Sequence, residues 1–182
     1  MNYWIPIGIG VLLLLYIIAI FNALIRLRNQ VKNAWAQIDV QLKRRHDLIP
    51  NLIETVKGYM KHERETLESI VKARSQAMGA RSINDKINKE AVLGGLMDKL
   101  MVVVENYPDL KSNTNFLSLQ EELTSTENRI AFARQAYNDQ ILFYNNKRET
   151  FPSNLIAGMF NFKYAEHFKT ADAEKAVPKV GF

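Results

Sequence analysis

VKNAWAQIDVQLKRRHDLIPNLIETVKGY, residues 31–59, is the stretch on which the fold turns. Val31, Trp35, Ile38, Leu42, Ile49, Leu52, Val56 and Tyr59 recur in alternating steps of four and three, and the seam is interrupted only where Arg45 occupies it. That spacing lays one apolar stripe along an α-helix, the pattern of helices packed along their length. Pro50 lies inside the pattern. A proline removes one helical hydrogen bond, yet the phase of the stripe is the same on both sides, which predicts a kink and not a chain reversal. The helix is expected to run on through Leu67, Ile70, Val71 and Met78 towards Gly79.

Upstream of the stripe there is no charged side chain from Met1 to Ile25, and IPIGIGVLLLLYIIAIF is almost wholly apolar. At about 1.5 Å per residue this segment is long enough to cross roughly 30 Å of hydrocarbon, which predicts a transmembrane anchor over 1–25. Tyr3 and Trp4 place amphipathic rings at one interface, and Asn22 lies near the other. A secretory signal fits badly, because there is no basic n-region and the apolar run is too long. Arg26, Arg28 and Lys32 follow at once, whereas the N-terminal flank has no Lys or Arg, so the charge bias predicts a short outer N-terminus and a C-terminal domain in the cytoplasm. Trp4, Arg26, Arg28 and Lys32 are the expected membrane-interface residues.

Downstream, ARSIND is a loop with Asn84 or Asp85 available as a cap for a helix carrying Ile87, Ala91, Leu96, Met97, Leu100, Met101 and Val104. Gly94 and Gly95 weaken that helix by roughly 1 kcal/mol each relative to alanine, or permit close packing. ENYPDLKSN breaks the chain again. Phe116, Leu119, Leu123, Ile130, Ala133, Tyr137, Ile141 and Tyr144 then mark a long amphipathic helix of roughly 35 residues. After Phe151 and Pro152 comes a short apolar segment in which Leu155, Ile156, Met159 and Phe160 form a candidate contact face. A tail over 169–182 is expected to be flexible. The fold class is all-α: a transmembrane helix continuing into an antiparallel helical bundle over 26–168 with long, coiled-coil-like helices.

The net charge of +5 is not spread along the chain. Residues 26–80 hold 11 basic and 6 acidic side chains, 81–150 hold 9 and 10, and 151–182 hold 4 and 3. The excess lies beside the membrane segment, where lipid selects for it, and with no basic-aromatic motif present no nucleic-acid partner is expected. Lys43, Arg44 and Arg45 begin about 25 Å further along the helix, beyond a Debye length of about 8 Å. They pair with acids such as Glu121, Glu122, Glu127 and Asp139, or dock an acidic partner. With no cysteine, disulfides, thiolate zinc sites and cysteine nucleophiles are excluded. His46, His62 and His167 lack a second histidine at ligand spacing, HERE at 62–65 is not HExxH, and neighbours such as His46 and Asp47 point apart on a helix. The histidines are expected at the surface, solvated or salt-bridged. No catalytic residue, cofactor or metal is expected.

RRHDLIPNLIETVKGYMKHE at 44–63, YPDLKSNTNFLSLQEELTSTENRI from Tyr107 and ARQAYNDQILFYNNKRETFPSNLIAG from Ala133 together resemble the LemA family of bacterial membrane proteins. The resemblance runs from about Leu24 to Phe168. It implies an N-terminal transmembrane helix, an antiparallel bundle and a cytoplasmic-facing domain, and it brings no catalytic residues. One departure is Asn161, where the resemblance anticipates glycine. Asp47, Pro50 and Asn51 are read as shaping the kink, with Asn51 satisfying a carbonyl freed by the proline, or as part of a partner site with Lys43, Arg44 and Arg45.

Two functions follow. One is a non-enzymatic scaffold that self-associates at the cytoplasmic face of the membrane. The other is an adaptor or regulator that docks another membrane or envelope protein, such as a membrane protease. Self-association rests on helix lengths: a first helix of about 54 residues beyond the membrane would reach roughly 80 Å, while the next returns about 35 Å. Val31, Trp35, Ile38 and Leu42 would then need a second copy of the chain to cover them.

Overall fold

The computed structural model describes residues 3–168, so the expected flexible tail at 169–182 lies outside the described residues. Among them there are six helices and no strand: α1 (Trp4–Lys57), α2 (Arg64–Met78), α3 (Ile83–Val104), α4 (Pro108–Lys111), α5 (Thr114–Glu149) and α6 (Ser153–Met159). Packing groups them into two compact units. One joins the chain up to Ile38 with Phe132–Phe168, and the other is Asp39–Ala131. Helices α1 and α5 each contribute to both.

In the unit 39–131, Ile49, Leu52 and Val56 of α1 are buried with Leu67 and Ile70 of α2, Leu93 and Leu100 of α3, Leu110 of α4 and Phe116 and Leu123 of α5. Each such aliphatic side chain removed from water stabilises the fold by about 1.5–3 kcal/mol. The first helix does not continue to Gly79 as the stripe implied. It ends at Lys57, where Gly58 follows and the Tyr59 and Met60 amides both bond to the Val56 carbonyl. Met60 is buried in the core, which pins this turn and sends α2 off as a separate helix. The stripe misled because Leu67 and Ile70 pack in the same core from the far side of the turn. Ser82 is the cap of α3, its hydroxyl accepting from the Asp85 amide, and neither Asn84 nor Asp85 takes that role. Gly94 and Gly95 face open space, so close packing is not their purpose.

In the unit 3–38 with 132–168, Ile20 and Leu24 of α1 pack with Tyr144 of α5, Ile156 and Ala157 of α6, and Phe162 beyond it. The Trp35 ring meets Tyr137 edge-on at 5.4 Å between centroids. Ile38 is buried, and Val31 and Trp35 are partly buried; Leu42, which belongs to the unit 39–131, is buried there. The premise that nothing in the same chain reaches the start of the stalk therefore fails. With α1 ending at Lys57, the 36-residue α5, about 54 Å long, is the returning helix, and its Tyr137 lies against Trp35.

Helix α6 closes with the Ala157 carbonyl accepting from the Phe162 amide at 2.9 Å and the Gly158 carbonyl accepting from the Asn161 amide at 3.2 Å. This is the Schellman ending, which needs a left-handed residue between, and Asn161 supplies it at φ 53°. Asparagine tolerates that conformation better than other side chains except glycine, which explains how it replaces the glycine that the resemblance anticipates.

Candidate functional site

Three seam positions in the unit 39–131 are polar. Arg45 on α1 interrupts the apolar steps; Glu90 on α3 begins the series Glu90, Leu93, Met97, Leu100, Val104; Thr126 on α5 falls between Leu123 and Ile130. All three are buried. The Arg45 guanidinium donates Nη1 to Glu127 at 2.6 Å and Nη2 to Glu90, while His46 Nε2 lies 2.9 Å from the other Glu90 oxygen. Thr126 meets its own need by donating to the Glu122 carbonyl at 2.7 Å.

Side chains of Arg45 and Glu90 are each only 2% exposed. Burial pulls the Arg45 guanidinium towards neutrality, but the charges of Glu127 and Glu90 more than reverse this and raise its pKa above the ordinary value. Burial likewise pushes the Glu90 carboxyl up, and the approach of His46 with the charge of Arg45 outweighs it, leaving Glu90 below the usual carboxylate range. Both groups are thus held ionised, each committed to the other. A general base needs a proton to collect from a reachable substrate. This cluster faces protein on all its bonds and reads as a structural knot. Among the described residues no group of His, Cys, Asp and Glu is arranged to hold a metal ion.

The expectation of a surface His46 is corrected: it is buried beside Glu90, because α3 brings an acid that the sequence reading left out of the pairing. His62 and His167 are exposed. Of the acids expected to pair with the basic cluster, Glu127 takes Arg45, and Glu122 lies 3.8 Å from the exposed Arg44. Glu121 and Asp139 are exposed, as are Lys43 and Asp47. Pro50 is exposed and α1 passes through it unbroken. Its missing N–H would have bonded the carbonyl four residues back, on His46, and that carbonyl instead accepts from Arg74 Nε of α2 at 2.7 Å. Arg74, not Asn51, compensates the proline. Asn51 is exposed, its carbonyl taking the Thr55 hydroxyl at 2.8 Å.

In the unit 3–38 with 132–168, the chain after α6 has no secondary structure, and α5 holds it by its backbone. Arg148 Nε donates to the Phe162 carbonyl and the Tyr144 hydroxyl to the Lys163 carbonyl, both at 2.8 Å. The Asn145 amide takes both backbone groups of Ala165, at 2.8 and 3.1 Å, and Asn138 does the same to Phe168, at 3.2 and 2.8 Å. Burial raises the Tyr144 pKa, against the opposing charges of Arg148 and Arg28. Sequence reasoning missed this ladder, although two asparagines seven residues apart, beside the seam residues Tyr137 and Tyr144, were its signal.

Leu155, Ile156, Met159 and Phe160 do not share one face. Ile156 points inward onto Ile20 and Leu24, while Leu155 and Met159 point out and Phe160 lies between, half exposed and 4.8 Å edge-on to Phe21. Trp4, Arg26, Arg28 and Lys32 are all exposed, and the Arg28 guanidinium sits 5.4 Å from the Phe162 ring centre. Among the described residues one helix, α1, carries a stretch long and apolar enough to cross a membrane.

Compared with known proteins, residues 34–182 match the profile described as the LemA family. The chain is similar to Protein LemA of Metamycoplasma hominis, 26% identical over 155 residues that cover 85% of this chain and 71% of that protein. It is also similar to Magnetosome protein MamQ of Magnetospirillum gryphiswaldense, 22% identical over 81% of this chain and 64% of that protein. Magnetosome protein MamQ 2 of Paramagnetospirillum magneticum is 35% identical over 80 residues, covering 44% of this chain and 29% of that protein.

Proposed function

The chain belongs to the LemA family, and from that premise we propose that it is a non-enzymatic, single-pass membrane scaffold whose helical part lies in the cytoplasm and self-associates there. The observation that carries this reading is a largely apolar stripe on the outer side of α5: Phe132 is 74% exposed, Phe143 is 56% exposed, and Ala136 lies exposed on the same face, with Asp139 the charged side chain between the rings. Eleven residues separate the two rings, about 16 Å, close to three helical turns, so they stand in line. Two large aromatic rings aligned on a helix in water favour burial in another helix, and a second copy offers the same stripe. Self-association thus moves from Val31, Trp35, Ile38 and Leu42, which α5 and the core help to cover, to the opposite side of α5 itself. The names LemA and magnetosome protein are not those of enzymes, which supports a structural role for the shared helical region.

Arg45 is paired in the interior and the half-exposed Arg44 lies 3.8 Å from Glu122, which leaves Lys43 as the member of the cluster that forms no ion pair among the described residues and weakens the adaptor reading. One experiment tests both side and assembly. In intact cells the single cysteine of Phe132→Cys should be joined to its counterpart by a membrane-permeant bismaleimide and not by an impermeant one, and Phe143→Glu should abolish the product. Cross-linking by the impermeant reagent would reverse the orientation. A chain that reacts with a permeant monomaleimide but never cross-links would sink self-association through this face.

A further inference from the structure

We infer that α6 and the turn before it are a lipid-seated elbow, with Phe151, Leu155, Met159 and Phe160 inserted in the leaflet on the side of the helical units. The inference rests on α1 spanning the bilayer, and it needs neither self-association nor a particular orientation. Depth is the first argument. Residues 4–19 of α1 are exposed without a break, and Ile20 is the first buried side chain. Sixteen residues rise about 24 Å, whereas the hydrocarbon is about 30 Å thick. The remaining distance of about 6 Å is one helical turn, and it falls at residues 20–24, before the first charge at Arg26. That turn is where Ile156 and Ala157 pack and where Phe160 and Phe162 meet Phe21. The inner face of α6 is therefore fixed to the last hydrocarbon-level turn of the span.

The outer face is the second argument. Phe151 is 75% exposed, Met159 74% and Leu155 60%, and with Phe160 they continue the apolar surface of the span sideways. A seven-residue helix facing water would place polar groups there; this one places only Asn154 and Gly158 among them. Charge is the third. Arg26, Arg28 and Lys163 are exposed, and Arg28 and Arg148 flank Phe162 through ring and carbonyl contacts. Glu149 beside Arg148 and the exposed Glu166 offset only part of this. The result is a basic collar directly behind the apolar elbow, the arrangement that meets anionic headgroups above acyl chains.

The absence of native cysteine makes the test direct. The full chain, reconstituted in phosphatidylcholine–phosphatidylglycerol vesicles, carries a single nitroxide at Leu13, Leu155, Met159 or Val102, all exposed positions. Collision with oxygen relative to a water-soluble nickel chelate should be several-fold higher at 13, 155 and 159 than at 102. Nickel access at 155 and 159 equal to that at 102, with 13 still oxygen-rich, overturns the elbow alone. Low collision with both reagents at 155 and 159 places protein on this face and overturns it too. A water-like label at 13 removes the span and the elbow together.

Discussion

Two regions of the molecule use buried polar side chains for opposite ends. In the unit 39–131, Arg45, Glu90, His46 and Glu127 are paired with one another by charge, although Arg45 Nε is buried without a hydrogen-bond partner. In the unit 3–38 with 132–168, Asn138, Tyr144, Asn145 and Arg148 spend their hydrogen bonds on backbone that has no helix or strand of its own. The first cluster ties α1 to α3 and α5. The second lets an irregular segment lie against a helix without orphaned peptide groups. A charge network of the first kind is costly to break and cheap to replace whole; a backbone clasp of the second kind has no apolar substitute, because the peptide groups remain.

That contrast can be broken at Arg45. Arg45→Met leaves Glu90 and its partners in the interior without their cation and should cost about 3–5 kcal/mol in chemical denaturation. The double variant Arg45→Met/Glu90→Met should recover most of it, since apolar replacement of a buried pair is often neutral or favourable. A double variant as unstable as the single one would show that the pair contributes net stability. At Asn145 the loss should be smaller, about 1–3 kcal/mol for Asn145→Ala, and no apolar change at Ala165 should rescue it. Resistance of the segment 162–168 to proteolysis should fall with it, and unchanged resistance would show that the clasp is redundant.

Acid sharpens the comparison further, with the smallest effect. The native Glu90 carboxyl is held below its usual range, so its contribution is fully present above the unfolded value of about 4.3 and is lost as pH falls from there through the depressed native pKa. The wild-type midpoint should therefore drop below about pH 4 more steeply than that of the double methionine variant. Parallel curves would remove Glu90 from the acid response.

Much of this was written in the sequence. The uncharged run to Ile25, the stripe from Val31 to Val56 and the long helix through Tyr144 follow from period and composition, since each spans many turns. Turn chemistry was harder. Gly58 alone marks the end of α1, and the buried Met60 that holds the turn looks like any other stripe residue. Arg45 was visible as a fault in the seam, but its partners were sought on α5, where Glu127 lies, and not on α3. Glu90 could have been found by extending the apolar steps of α3 backwards: the series reaches an acid in phase with Leu93 and Met97. The asparagine ladder and the split faces of α6 depend on how an unstructured segment lies, for which no periodicity exists.

One unit is assembled from the two ends of the described chain, residues up to Ile38 and Phe132–Phe168. During synthesis, at about 5–20 residues per second, the intervening 39–131 take on the order of 5 to 20 s to emerge. Throughout that interval the apolar segment of α1 has no α6 to pack against, and Trp35 has no Tyr137. The apolar segment of the first helix therefore emerges naked, and its continuation must wait for a partner made near the end. This unit can be completed only late in synthesis, and a chain truncated before Phe132 would keep the apolar segment of α1 while leaving Trp35 without the ring that it meets in the finished protein.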